Sequence, residues 1–333
     1  MSVPSRRPQL AGLALALVAA ALAPQVLTGS VAQNLAILSL LYAVVASNWD
    51  LTLGYAGIFN FAHVAFFGLG AYVAAVSTVQ FGVPVWWDLV LGVGLVAIVG
   101  AVVAALALRL RGIYVALVTF ALTQLCVALI NSQKDLTGGP VGLVGIPDLQ
   151  IGDFVFGNDP RSYFYAAEIL LIASTLALRW LATSSFGLSL VALRDNEPYA
   201  ISRGIPATRQ RVLAIVASSV PTSLAGGLYA HYLIVASPDV FSFSLTTLLL
   251  SMVLVGGAAT TYGPILAAVV LTVGTEQLAS LGNTRYMIIA VLIVLVLRFL
   301  PGGVWSVWRR RLPTFGRHAA PTPLPALDAK EPA

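Results

Sequence analysis

Three histidines, one cysteine and a thin scatter of acids are the reactive side chains that this 333-residue sequence offers. His63, His231 and His318 lie far apart with no metal-ligand spacing, and neither H-E-x-x-H nor G-x-S-x-G occurs. Cys126 stands alone in an apolar run, which excludes a disulfide or thiolate-metal framework within the chain. A P-loop ends in Gly-Lys-Ser/Thr; here Lys134 stands between Gln133 and Asp135, and Lys330 precedes Glu331. P-loop ATP hydrolysis is therefore excluded, no metal site is expected, and no residue is assigned a catalytic role.

The remaining chemistry belongs to polar groups inside apolar runs, where each is costly unless paired or facing a cavity. Asn48, Asp50, Asn60, His63, Thr119, Gln124, Ser251 and Glu276 are of this kind. Asp50 and Glu276 read in two ways: as proton or cation sites, or as a helix end near water and an interhelical bridge. His63, beside Phe61, Phe66 and Phe67, reads as a packing histidine or, with Asn60, as a hydrogen-bonding partner for a zwitterion. Together with Gly54, which opens a Gly-containing interruption, Asn48, Asp50, Asn60, His63, Thr119, Gln124 and Glu276 form the candidate translocation pathway.

The elements that must hold these groups are set by composition. The chain is 59% hydrophobic and 9% charged, with a mean hydropathy of +0.91. Soluble domains carry about 25% charged residues, so most of this surface must face lipid. A span needs about 20 apolar residues. Candidate runs are 10–27, 36–53, 63–80, 86–108, 113–130, 163–181, 213–236, 245–257, 265–281 and 286–300. The expected fold is thus an all-α membrane protein of about ten transmembrane or partly spanning helices, occupying residues 1–312. The run after Arg6 and Arg7 also has the form of a secretory signal, but an uncleaved first helix is expected because everything downstream is membrane-embedded too.

Charge orients the chain. With the amino terminus inside, 15 of the 18 Lys and Arg residues fall on the inner side, leaving Lys134, Arg161 and Arg285 outside. The positive-inside rule selects that orientation, with both termini cytoplasmic. The net charge of +5 is then a topology signal, with no need of a nucleic-acid partner.

Two polar segments interrupt the pattern. Residues 131–161, rich in Gly, Pro and Asp, form an exterior loop with turns and a short ordered cap. Residues 183–211 read as an inside helix-turn-helix at the membrane surface, broken near Pro198. The Pro- and Ala-rich tail 313–333 is expected to be a disordered cytoplasmic extension. Two Gly-containing interruptions, 54–72 and 255–264, point to inverted repeats around a central pathway, or simply to close packing through small residues.

Several segments resemble the permease subunits of branched-chain amino acid ABC importers. They are GYAGIFNFAHVAFFGLGAY from Gly54, RLRGIYVALVTFA from Arg109, TGGPVGLVGIP from Thr137, FGLSLVALRDNEPYAISRGI from Phe186, SPDVFSFSLTTLLLSMVLVGGAATTYGP from Ser237, and LRFLPGGVW ending at Trp305. The likeness runs from about Asn34 to Trp305; RLRG, TGG and RDNE favour the M-type subunit, while NFAH is nearer the H-type wording. It implies an inner-membrane importer subunit working with a companion permease, two cytoplasmic ATPases and an exterior, periplasmic solute-binding protein. The chain would bind no cofactor, ATP being used by the partners. The 183–211 segment would be the coupling loop, with Arg194, Asp195, Asn196, Glu197 and Gly204 at its characteristic positions. Pro198 and Tyr199 depart from the family's small residues there. A gradient-driven carrier or channel for a small polar solute such as urea or an amide, with Asp50 and Glu276 as coupling sites, is the rival reading.

Overall fold

The computed structural model describes residues 29–278, except 108, 109, 111, 152 and 153, together with Gly282, Thr284, Val291, Arg298, Phe299 and Gly303. The candidate span at 10–27 and the tail at 313–333 lie outside the described residues, as does nearly all of 286–300.

The long helices are α1 (Ser30–Asp50), α2 (Ala62–Phe81), α3 (Val85–Ala107) and α4 (Ile113–Ser132). A one-turn α5 (Lys134–Thr137) and short strands β1 (Leu143–Val144), β2 (Gln150–Ile151) and β3 (Phe154–Val155) follow. Then come α6 (Pro160–Thr183), α7 (Ser185–Asp195), α8 (Glu197–Ser202), α9 (Ala207–Leu233), β4 (Val235–Ala236), α10 (Phe243–Gly256) and α11 (Gly263–Gln277).

Ten spans are not found among the described residues. Six helical segments are long and apolar enough to cross: Ser30–Tyr55, Ala62–Phe81, Val85–Leu106, Ile113–Ser132, Arg161–Thr183 and Ala207–Leu233. The candidates at 245–257 and 265–281 become α10 and α11, of 14 and 15 residues. At about 1.5 Å per residue these fall short of a hydrocarbon core about 30 Å thick. Hydropathy alone found them apolar; the Gly256–Gly257 pair and Pro264 fix their ends close together.

Small residues let the helices approach. α9 packs along both α2 and α3. At Gly226 a Cβ would collide with the backbone of Phe67, and at Gly70 with the backbone of Ser223. Each glycine is therefore a crossing point of α2 and α9, the small-residue packing that lipid favours in place of a hydrophobic drive. Around this crossing the core is filled by Trp49, Phe66, Phe67 and Phe241, all fully buried. Outward positions on α3, such as Val90, Ile98 and Leu106, are exposed and apolar, as a lipid-facing surface must be.

Hydrogen bonds sort the helix ends into two faces. On one, Gln80 at the end of α2 donates to the carbonyl oxygens of Asp135 and Leu136, and Trp86 Nε1 donates to Gln150 O at 2.8 Å. There too β1 pairs antiparallel with β4, Leu143 opposite Ala236, and β2 pairs with β3. On the other, the end of α1 meets α7 and the turn joining α10 to α11. Exposed Trp86 and Trp87 rim the first face, and exposed Tyr114 and Trp180 the second, as aromatic belts do at the two interfaces.

The first face is pinned by a wholly buried pair, His231 Nε2 to Asp88 Oδ2 at 3.1 Å. His231 Nδ1 contacts Pro147 O at 2.7 Å; a carbonyl only accepts, so Nδ1 carries a hydrogen. The contact between Nε2 and the carboxylate then holds a second proton, leaving the pair neutral overall. Tyr163 adds to this knot, donating to Asp148 Oδ1 and accepting from the Leu149 amide.

Replacing Gly226 by Val is expected to cost about 1–3 kcal/mol or more through overpacking against backbone. Gly94→Ala, where a Cβ meets nothing within 4 Å, should be neutral or stabilising by up to about 1 kcal/mol. Thermal unfolding of the detergent-solubilised protein checks both.

Candidate functional site

Two residues singled out for a pathway, Asp50 and Gly54, meet one singled out for coupling, Arg194, at a junction on the second face. α1 does not end cleanly at Asp50: it passes into a π-helical turn, Leu51–Tyr55, before an irregular stretch leads to α2. A π turn leaves its register out of step with the preceding helix and is a recurrent mark of functional sites.

Asp50 is fully buried, and both of its oxygens are used. Oδ1 accepts from the Ala259 amide at 2.8 Å and Oδ2 from the Thr260 amide at 3.0 Å. Those amides belong to the tight turn between α10 and α11, whose Ala259 takes a left-handed φ of 58°. Thr260 Oγ1 closes the same turn by donating to Gly257 O. A carboxylate gripping two backbone amides is a charge-assisted clamp, stronger than two neutral hydrogen bonds. It satisfies donors that lipid could not.

Gly54 makes the clamp possible, since a Cβ there would overlap both Asp50 Oδ1 and the Ala259 backbone. Its carbonyl oxygen accepts from Arg194 Nη1 at 2.6 Å. Arg194 sits in the last turn of α7, and its stem covers Gly57, whose φ of 67° and crowding against Arg194 Cγ both exclude a side chain. Arg194 also pairs with its neighbour Asp195 at 2.9 Å, an exposed contact of little energy. Two more bonds knit the junction: Arg179 Nη1 donates to Tyr262 OH at 2.7 Å, and Tyr55 OH meets Thr261 Oγ1 at 3.2 Å. Between these groups lies an open groove of about 660 Å³, lined by Tyr55, Leu188, Val191, Arg194 and Tyr262 among others.

The 183–211 segment does form two helices with a break between them. Asn196 is the N-cap of α8, its Oδ1 accepting from the Tyr199 amide at 3.1 Å. Pro198 falls in the first turn of α8, where its missing N–H costs nothing, so the departure from small residues leaves the helix intact. Tyr199 is exposed, its ring under Arg203 at 5.3 Å. Glu197 pairs with Arg211 at 2.9 Å, fastening α8 to α9, and Gly204 follows with a φ of 85°.

A second group lies just inside the junction. His63 stacks on Trp49 with ring centroids 5.3 Å apart and is fully buried. Its nitrogens reach Asn60 Oδ1 at 3.2 Å and Ser218 Oγ at 3.1 Å, while Trp49 Nε1 donates to Asn60 O. Thr119 Oγ1 accepts from the Phe61 amide at 2.9 Å. These bonds tie down the irregular stretch at Asn60 and Phe61, so Asn60, His63 and Thr119 brace the broken segment, and both ring nitrogens of His63 have partners.

The other predicted residues lie apart. Asn48 donates to Val44 O inside its own helix. Gln124 is exposed on α4, and Glu276 is exposed near the end of α11 on the first face, lining a separate cavity of about 450 Å³. Sequence reading missed the Ala259 and Thr260 amides, which no side-chain type announces, and it missed Asp88, whose charge inside an apolar run was a usable signal.

A family model described as the branched-chain amino acid transport system permease component matches residues 31–297. The chain belongs to that family. Among curated relatives, the high-affinity branched-chain amino acid transport system permease protein LivM of Salmonella typhimurium is 26% identical over 322 residues, covering 90% of this chain and 75% of its own. LivM of Escherichia coli K12 is 26% identical over 301 residues, covering 84% and 71%. The permease protein LivH of the same strain is 24% identical over 284 residues, covering 79% and 90%. No solved structure gives a significant match. The M-type resemblance read from the motifs therefore holds along most of the chain, and the junction is that of a multi-pass membrane permease.

Asp50→Asn in this permease keeps the volume but turns an NH2 toward a backbone amide. It should destabilise by about 2 kcal/mol, the worth of a charged hydrogen bond left unmade. Thr260→Ala, which keeps the clamped amide, should cost under half of that. Thermal unfolding in detergent separates the two.

Proposed function

We infer that this chain is the M-type permease subunit of an ATP-driven importer carrying branched-chain amino acids across the inner membrane. Its partners are a companion permease, two cytoplasmic ATPases and an exterior solute-binding protein. The chain itself forms and breaks no covalent bond.

The bond from Arg194 to Gly54 O carries the reading. It joins α7, the element an ATPase would push, to the broken end of α1, and the Asp50 clamp passes that connection on to the α10–α11 turn. Displacing α7 and α8 then shifts three segments as one body, which gives two states with different contacts, the physical requirement of coupling. The Gly-containing interruptions at 54–72 and 255–264 meet at this point, as corresponding breaks of inverted repeats would.

Charge supports the orientation. Among the described residues, the face bearing α7 and α8 carries Arg179, Arg194, Arg203, Arg209 and Arg211, and the opposite face Lys134 and Arg161. The second face, which bears α7 and α8, is cytoplasmic on this reading, both termini lie inside, and 131–161 on the first face is exterior. The carrier reading loses its footing because Asp50 spends both oxygens on backbone amides and Glu276 stands on the opposite face.

The deciding experiment is uptake of radiolabelled leucine by proteoliposomes holding the full assembly, with and without internal ATP. Uptake that needs ATP and the ATPases supports the importer; uptake by this chain alone along an ion gradient overturns it. In the same assay Glu197→Arg should lower uptake at least tenfold while the protein still reaches the membrane. Uptake restored by adding Arg211→Glu would show that the pair acts within the chain and not on the ATPase.

A further inference from the structure

A cavity open to the surface on the first face, exterior on the reading above, is lined by α1, α9, the 238–241 turn, α10 and α11, and holds about 450 Å³. Its walls combine aliphatic residues such as Leu38 and Leu248 with the hydroxyls of α10 and α11 and the carboxylates of Asp239 and Glu276. Among the described residues, no lysine or arginine lines it.

The hydroxyls are not equivalent. Thr247, Ser251 and Thr275 each donate to the carbonyl four residues back in their own helix. Thr272 does not: its Oγ1 has no hydrogen-bond partner although the residue is only 6% exposed. An unpaired buried hydroxyl is costly, and the cost falls away when a ligand supplies the partner. Thr272 and Glu276 lie one turn apart on α11, on the same face. Asp239 is exposed across the cavity, with only a 3.4 Å contact from Ser237 Oγ.

We propose that this cavity is the outward-facing solute site of the permease, taking an aliphatic amino acid with its ammonium toward Asp239 and Glu276, its side chain on the leucines, and Thr272 hydrogen-bonded to it. The inference rests on the importer reading and assigns the place and the recognising groups. Two carboxylates without a cation select a positive end, and the aliphatic wall selects an apolar tail. The volume suits a small ligand with some water, within the usual range of about 300–1,000 Å³.

The test uses the complete assembly with Thr272→Cys introduced in a Cys126→Ser background, and a membrane-impermeant thiol reagent added outside. Leucine should slow labelling at least fivefold, isoamylamine should protect at higher concentration, and 4-methylvalerate, which lacks the ammonium, should not protect. As a second readout, Asp239→Asn should raise KM for leucine uptake about tenfold with kcat little changed. Undiminished labelling under saturating leucine, or equal protection by 4-methylvalerate, in an assembly whose uptake does require ATP overturns the site alone. ATP-independent uptake before any substitution overturns the importer reading and this site with it.

Discussion

Lipid offers no hydrogen bonds, so every break in a membrane helix must find its own donors and acceptors. Here that constraint falls on Asp50. α1 loses its α-helical register at the π turn, and the α10–α11 turn points two amides at the same place; the carboxylate meets both. Gly54 is bare because the clamp occupies the room a side chain would need, and Arg194 approaches because the carbonyl of Gly54 remains to be satisfied. One buried acid thus decides where α1 ends, how α10 and α11 return, and where α7 docks.

The two faces meet the same constraint by different means. The clamp side uses one charge and several backbone groups around a groove. The opposite side relies on strand pairing, the buried Asp88–His231 pair and the Tyr163 knot, which fasten the 143–149 stretch to the ends of α3 and α9. One end of the bundle is thus held by paired strands and a buried side-chain pair, the other by a carboxylate clamp beside an open groove.

Much of this was legible in the residues. Composition gave a polytopic membrane protein, and the runs later found as α1 to α4, α6 and α9 stood out by length and hydropathy. The break near Pro198 was visible because proline tolerates only the first turn of a helix. What the sequence hid were contacts between distant positions. Asp50 and Ala259 are separated by 209 residues, and an amide has no identity to read. Asp50 and Arg194 were assigned to two different roles, pathway and coupling, and only the fold shows them meeting at Gly54. Among the described residues, the runs at 245–257 and 265–281 are apolar as read, and only the position of their shared turn makes α10 and α11 short.

That shortness has a consequence for the bilayer itself. Helices of 14 and 15 residues reach about 21–23 Å, leaving roughly 8 Å of the usual hydrocarbon thickness unfilled. Where such a hairpin faces lipid, the bilayer must thin locally to meet it, at a modest cost per ångström of mismatch.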